Sequence, residues 1–275
     1  MININFRRYK EAWISSRAPH LSVVPTKSES KELLKDGGLM VRSISDFDCN
    51  YETSFWYLIK SEFSGFDELN SKTRQKIRKS LSLFNFRIVD KEFLIENGYD
   101  VYVSAMNNYK VKSIILSKNK FEDELNNYGN EYEFWICEYK DTLKPAGYAI
   151  NRIIDNVSEY DIMRASSEAL IGSQYPLYGF FYSMNEYYLS EKSFKYVQDG
   201  SRSISEHSNI QEFVQEKFNF RKAYCNLYIE YVWWLKIFVS LFYRFRNIIP
   251  FTDNIPLLMN LKSLLNQEAM RKNKM

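Results

Sequence analysis

"SFKYVQDGSRSISEHSNIQEFVQEKFNFRKAYCNLYIEY" (193–231) sets the reading of the fold. An apolar run, "FKYV", ends at Asp199-Gly200, a pair that favours turns and strand ends. Arg202, Ser203 and His207 follow. Then "NIQEFVQEKF" places Ile210, Phe213, Val214 and Phe218 at helical spacing. After "NFRK", the alternating "AYCNLYIEY" has strand period. The order is strand, polar crossing, helix, strand, and the ends of strands in α/β sheets are where ligands tend to sit.

Working outward, "EYEFWICEYKDTLKPAGYAINRII" (131–154) gives two aromatic and β-branched runs around "KDTLKP", which predicts a hairpin. "SEYDIMRAS" (158–166) is expected to pair beside it. "LYGFFYSMNEYYLS" then predicts a helix behind the Gly172-Ser173 turn and Pro176. Upstream, "GLMVRSI", "SFWYLIKSEF" and "FRIV" have strand character. "NSKTRQKIRKSLSLF" (70–84) is helical, with Ser71 as its expected N-cap. Residues 92–110 read as two helices broken at Gly98, and "NKFEDELNNYG" as a third. Residues 1–37 read as an N-terminal helical segment. The expected class is α+β, a mixed and largely antiparallel sheet flanked by helices over 38–231, with a C-terminal helical tail over 232–275.

Composition narrows the function. The 275 residues are 45% hydrophobic and 17% aromatic, which excludes disorder. A net charge of +3 marks no nucleic-acid binder by charge alone, so any basic patch is local. Cys49, Cys137 and Cys225 are dispersed and odd in number, and there are two histidines; structural zinc and imidazole-rich metal catalysis are not expected. No apolar run reaches the roughly 18 residues of a membrane span. A cytoplasmic location is expected. Walker loop, dinucleotide fingerprint, nucleophile elbow and HExxH are all missing from the sequence. Acyl transfer from an activated donor remains, since positioning and a backbone N–H for the oxyanion can carry it.

The hairpin "FWICEYKDTLKPAGYAINRI", the strand, turn and helix of "YDIMRASSEALIGSQYPLYGFFYSMNEYYLS", and the ending "FVQEKFNFRKAY" together resemble the acyl-CoA N-acyltransferase (GNAT) superfamily, including its Fem-like branch. Asn219 stands where that superfamily usually has Gly. The resemblance implies a GNAT-like fold. It further implies transfer of an acyl group, acetyl most simply, from acyl-CoA to an amine on a small molecule or cell-envelope precursor. The Fem-like alternative draws its donor from aminoacyl-tRNA, and a third reading is a non-catalytic binding module. The family's donor-phosphate loop aligns with Gly172, Ser173, Gln174 and Tyr175, next to Ser166 and Ser167. Its glycine-rich pattern is absent here, and Pro176 removes one amide.

His207, Asp199 and Glu168 are the candidate bases, with Glu206 as a further carboxylate. Tyr224 is the candidate acid for the leaving thiolate, and backbone amides near Ala165 to Ser167 the candidate oxyanion donors. Arg202 and Ser203 are expected to bind substrate. The alternatives stay open: Asp199-Gly200 as a turn, His207 as a helix cap, Arg202 as a salt-bridge residue, Tyr224 as core. Lys72, Arg74, Lys76, Arg78 and Lys79 crowd one helix without an acid and are either a solvated face or a receiver of phosphates from CoA or tRNA. "VWWLKIFVSLFYRFRN" (232–247) carries a polar stripe of Lys236, Ser240, Arg244 and Asn247. It is expected to bury most of its remaining circumference against the domain, a partner such as a second copy, or a membrane interface bearing a lipid-linked acceptor.

Overall fold

The computed structural model describes residues 5–108, 114–203, 210–246 and 256–273. These form two compact units. One takes the described residues of Met1–Leu58, Ser201–Ser208 and Lys222–Met275, the other those of Ile59–Gly200 and Asn209–Arg221.

In the first unit, strands β1 (Phe6–Tyr9) and β2 (Ala12–Ser15) form an antiparallel hairpin in which Tyr9 pairs with Ala12. Lys10, at φ 52°, turns the two-residue loop. The N-terminal segment is therefore partly β, where the sequence predicted a helical segment. The reason is tertiary: Phe6 packs with Leu33 and Val41, and the Trp13 indole donates to Gly37 O at 2.7 Å. Helix α1 (Lys27–Lys35) begins in a reciprocal capping box between Thr26 and Glu29. It crosses over to β3 (Met40–Cys49), which lies parallel to β2. β4 (Phe55–Lys60) runs from the first unit into the second.

The second unit holds α2 (Ser71–Leu83), β5 (Phe84–Val89), α3 (Lys91–Asn97), α4 (Tyr99–Asn107), α5 (Lys118–Asn126), β6 (Tyr132–Tyr139), β7 (Pro145–Ile154) and β8 (Val157–Ala165). β5 to β8 pair antiparallel in succession; the β6–β7 hairpin with β8 beside it is as the aromatic and β-branched runs predict. Its strands are apolar on both sides because both faces are covered. Phe134, Ile136, Tyr148 and Ile150 pack with Leu94, Val101 and Phe121 of the α3 to α5 layer. On the other face Trp135 donates to the Tyr188 hydroxyl at 2.9 Å.

The chain continues through α6 (Ser167–Ile171), α7 (Pro176–Asn185) with a π-helical turn over Glu186–Glu191, β9 (Tyr196–Ser201) and α8 (Ile210–Phe218). β9 pairs parallel to β8. β10 (Arg221–Tyr231) returns to the first unit antiparallel to β3, with Ala223, Cys225, Leu227, Ile229 and Tyr231 turned inward in strict alternation. There it packs with α9 (Trp233–Arg244) and α10 (Pro256–Arg271) through Leu235, Val239 and Met270. The fold is α+β with mixed, mostly antiparallel strand pairing flanked by helices. Strand, crossing, helix and strand follow one another over 196–231 as expected.

Two details differ from expectation. The α2 N-cap is Asn70, whose carboxamide accepts from Thr73 N at 2.9 Å, in place of Ser71. Asn and Ser are equally good caps, so composition could not choose between neighbours. Gly179 on α7 sits where a Cβ would enter the Phe86 ring and Ser80 Oγ, so it sets how closely α7 approaches α2 and β5. Gly179→Ala is expected to cost about 1–3 kcal/mol by overpacking, read as a lower midpoint in thermal unfolding. An unchanged midpoint would show that this approach is not tight.

Candidate active site

The β8–β9 ladder has three pairs: Val157↔Tyr196, Ser158↔Val197 and Glu159↔Gln198. Just past it, β8 bulges. Ile150 of β7 pairs with Ile162 while Asn151 pairs with Tyr160, so Asp161 is an extra residue. A bulge bends its strand and re-aims the backbone. Here it lies where β8 leaves β9, and Asp199 is the first β9 residue beyond the last ladder pair. Gly200 follows at φ 75°, a conformation open to Gly, with no atom within reach of a Cβ.

Side-chain alternation puts Asp199 on the same face as Val197, Ser158 and Tyr160. Tyr160 is buried; its hydroxyl donates to Asn185 Oδ1 at 2.8 Å, and burial together with the charges of Tyr188 and Asp199 pushes its phenol up. Asn185 Nδ2 and Ser158 Oγ, both buried, have no hydrogen-bond partner among the described residues. An unpaired buried donor or acceptor costs free energy unless water or ligand meets it. Asp199 is half-buried, and burial pushes its carboxyl from an ordinary 3.8 up to about 7. A carboxyl in that range changes protonation near neutrality, which suits a general base.

The expected donor loop gives a different picture. Gly172 N donates to Glu168 O and Gln174 N to Ala169 O, closing α6 around Ser173 at φ 51°. Pro176 has no N–H, and Tyr178 and Gly179 both donate back to Tyr175 O. Leu177 is the remaining first-turn amide. A pyrophosphate on several free α7 amides does not fit this terminus. Ser166 N donates to Ala146 O and Ser167 N to Ser104 Oγ, so two of the amides from Ala165 to Ser167 expected to hold an oxyanion are engaged in the fold. The backbone that the bulge re-aims lies earlier, at Tyr160 to Met163.

Lysines are instead concentrated beside that loop. A cavity of about 350 Å³ is lined by Asn70, Ser71, Lys72, Thr73, Lys76, Tyr178 and Lys217. Lys76 donates to the Tyr178 hydroxyl at 3.2 Å and stands over the rings of Tyr175 and Tyr178; Lys79 also stands over Tyr175. Lys217 pairs with Glu216 at 2.9 Å. Among the described residues no carboxylate pairs with Lys72 or Lys76. The α2 N-terminus adds its positive end.

The other candidates are placed as follows. Arg78 stacks on Phe66, and Arg74 lies half-buried on α2. Glu168 is exposed and paired with Lys144 at 3.1 Å. Gln174 Oε1 accepts from the Tyr139 hydroxyl at 2.7 Å. Arg202 donates one guanidinium N–H, from Nη1, to Ser54 O at 2.7 Å, and its backbone N–H donates to Trp56 O at 2.8 Å. Ser203 follows it, exposed. Tyr224, on β10 in the first unit, donates to Glu52 at 3.2 Å, and burial and that bond raise its phenol. His207 and Glu206 lie outside the described residues.

Sequence reasoning missed Tyr160, Asn185, Lys217 and the Asp161 bulge. The first three carry no motif; an extra residue in one strand of a pair is invisible without its partner.

A comparison with protein-family models finds no match, and one with curated proteins finds none either. Solved structures do match. The crystal structure of FemX is 10% identical, covers 86% of this chain and 85% of that one, and superposes with a TM-score of 0.56. The C-terminal domain assigned to a lysylphosphatidylglycerol synthetase of Agrobacterium fabrum is 12% identical over 86% of this chain and 82% of that one, with a TM-score of 0.53. At such identities the likeness is one of fold. The chain therefore shares the fold of FemX and of that C-terminal domain, with the β8–β9 pair parting beyond its three-pair ladder.

Proposed function

We propose that the chain is an N-acyltransferase working at the mouth between β8 and β9, and that its donor is an aminoacyl ester on a nucleic-acid end. The observation that carries the reading is Asp199, a carboxyl held near neutrality where the two strands part. The amine nitrogen attacks the ester carbonyl and forms the C–N bond, and Asp199 takes the proton that nitrogen sheds. The ester C–O bond breaks, and the leaving ribose oxygen receives that proton. Backbone N–H groups of β8 between Tyr160 and Met163 hold the oxyanion.

The nucleic-acid donor is supported by the lysine cavity with Tyr175 and Tyr178 alongside, since lysines hold phosphates and aromatic rings stack bases. The engaged α7 terminus argues against a pyrophosphate seated there. Acyl-CoA is the second reading, supported by the splayed strand pair, which in the GNAT resemblance receives a thioester.

Transfer assays with charged tRNA and with acyl-CoA, each with an amine acceptor, test this. Product from charged tRNA alone is expected. Product from acyl-CoA alone would move the chain to the second reading, and binding of neither donor would leave a non-catalytic module.

A further inference from the structure

Helix α9 was expected to bury most of its circumference against the domain, a partner or a membrane interface, and within this chain it buries one side only. Leu235, Val239 and Tyr243 face the first unit's core. Trp233 is 75% exposed, Ile237 63% and Leu241 55%; Trp234, Phe238 and Phe245 are exposed as well. At 100° per residue these six cover about 140° of the helix, a continuous apolar face. Lys236 and Ser240 run along one border of it, and Arg244 falls just inside that border at the helix C-terminus. Beyond that border, Lys27, Lys31 and Lys35 of α1 line a cavity of about 560 Å³ together with Trp233 and Lys236. Glu230 is the acid in that cavity, and it pairs with Lys236 at 2.9 Å.

A contiguous exposed apolar patch edged by one sign of charge marks an interaction surface. The charge chooses the occupant. Two tryptophans and four aliphatic or Phe side chains beside five cations match an anionic bilayer surface, with rings at the head-group level and lysines reaching phosphates. No helix among the described residues is long and apolar enough to cross a membrane.

We propose that α9, with the lysine row of α1, docks the protein peripherally on an anionic lipid surface. The face lies in the interface plane, and the reading does not depend on the transfer chemistry.

The test is co-sedimentation of the full chain with phosphatidylcholine vesicles, with and without phosphatidylglycerol. Binding to the phosphatidylglycerol vesicles is expected. Ile237→Glu with Leu241→Glu is expected to abolish it; both side chains are exposed, and an unchanged thermal midpoint checks the fold. Replacing Lys27, Lys31 and Lys35 by Gln is expected to weaken binding about a hundredfold, about fivefold per charge. Absence of sedimentation with phosphatidylglycerol vesicles overturns the proposal. So does equal binding to neutral vesicles, or a dimer in solution that the Glu substitutions dissociate while vesicles bind nothing.

Discussion

Replacing Asp199 by Asn is expected to lower the transfer rate by about 10²–10⁴ while raising thermal stability at pH 8. The two effects share one cause. Burial holds the carboxyl at about 7 against an ordinary 3.8, so the ionised form is disfavoured by about a thousandfold in the folded chain. The folded pKa is raised for an acid, so between about pH 4 and pH 7 the folded state binds more proton than the unfolded state. Stability from this group is fullest at low pH and declines as pH rises through that window. Asn cannot ionise. The melting-temperature difference between variant and parent should open from about pH 4 to pH 7 and stay constant above. For activity the sign reverses, because the base must be ionised: the parent's rate should rise with pH around a midpoint near 7. A variant that keeps full activity removes Asp199 from the mechanism. One that is less stable at pH 8 contradicts its burial.

The second large effect is expected in donor binding. Lys72→Glu with Lys217→Glu should raise the KM for donor at least about tenfold and leave kcat within about twofold, because these lysines hold a remote part of the donor equally in ground and transition states. Lys72 is exposed and Lys217 a third exposed, so the fold should survive. For a single-stranded nucleic-acid end, three cavity lysines should give a log–log salt slope of about −2. A small thioester donor would show a much weaker dependence. A lowered kcat with unchanged KM would place the lysines in a different role.

What was legible in the sequence was what local pattern controls. The β6–β7 hairpin, β8, and the succession of β9, α8 and β10 follow from period-2 and period-3.6 runs with turn residues between them. Asp199 was legible as a strand-end carboxylate, but its raised pKa was not, because that comes from what packs around it. The N-terminal hairpin was lost because Arg7, Arg8, Lys10 and Glu11 mask the strand pattern, and the packing of Phe6 on Leu33 and Val41 decides the outcome. The lysine cavity was half legible. Lys72 and Lys76 stood out as a cluster, whereas the hydrogen bond from Lys76 to Tyr178 spans 102 positions. Arg202 looked like a substrate clamp because sequence cannot reveal that the carbonyl of Ser54 takes its N–H. On α9 the polar stripe was visible, but which apolar flank would face outward depends on where β10 delivers the chain.

The claim on which the mechanism stands is a near-neutral carboxyl at the β8–β9 mouth. It is tested most directly by titrating the carboxyl carbon of Asp199 by ¹³C NMR in the intact protein, assigned by its loss in Asp199→Asn. A midpoint near 7 is expected, shifting when donor is added. A midpoint near 3.8 that donor leaves unmoved would contradict the account.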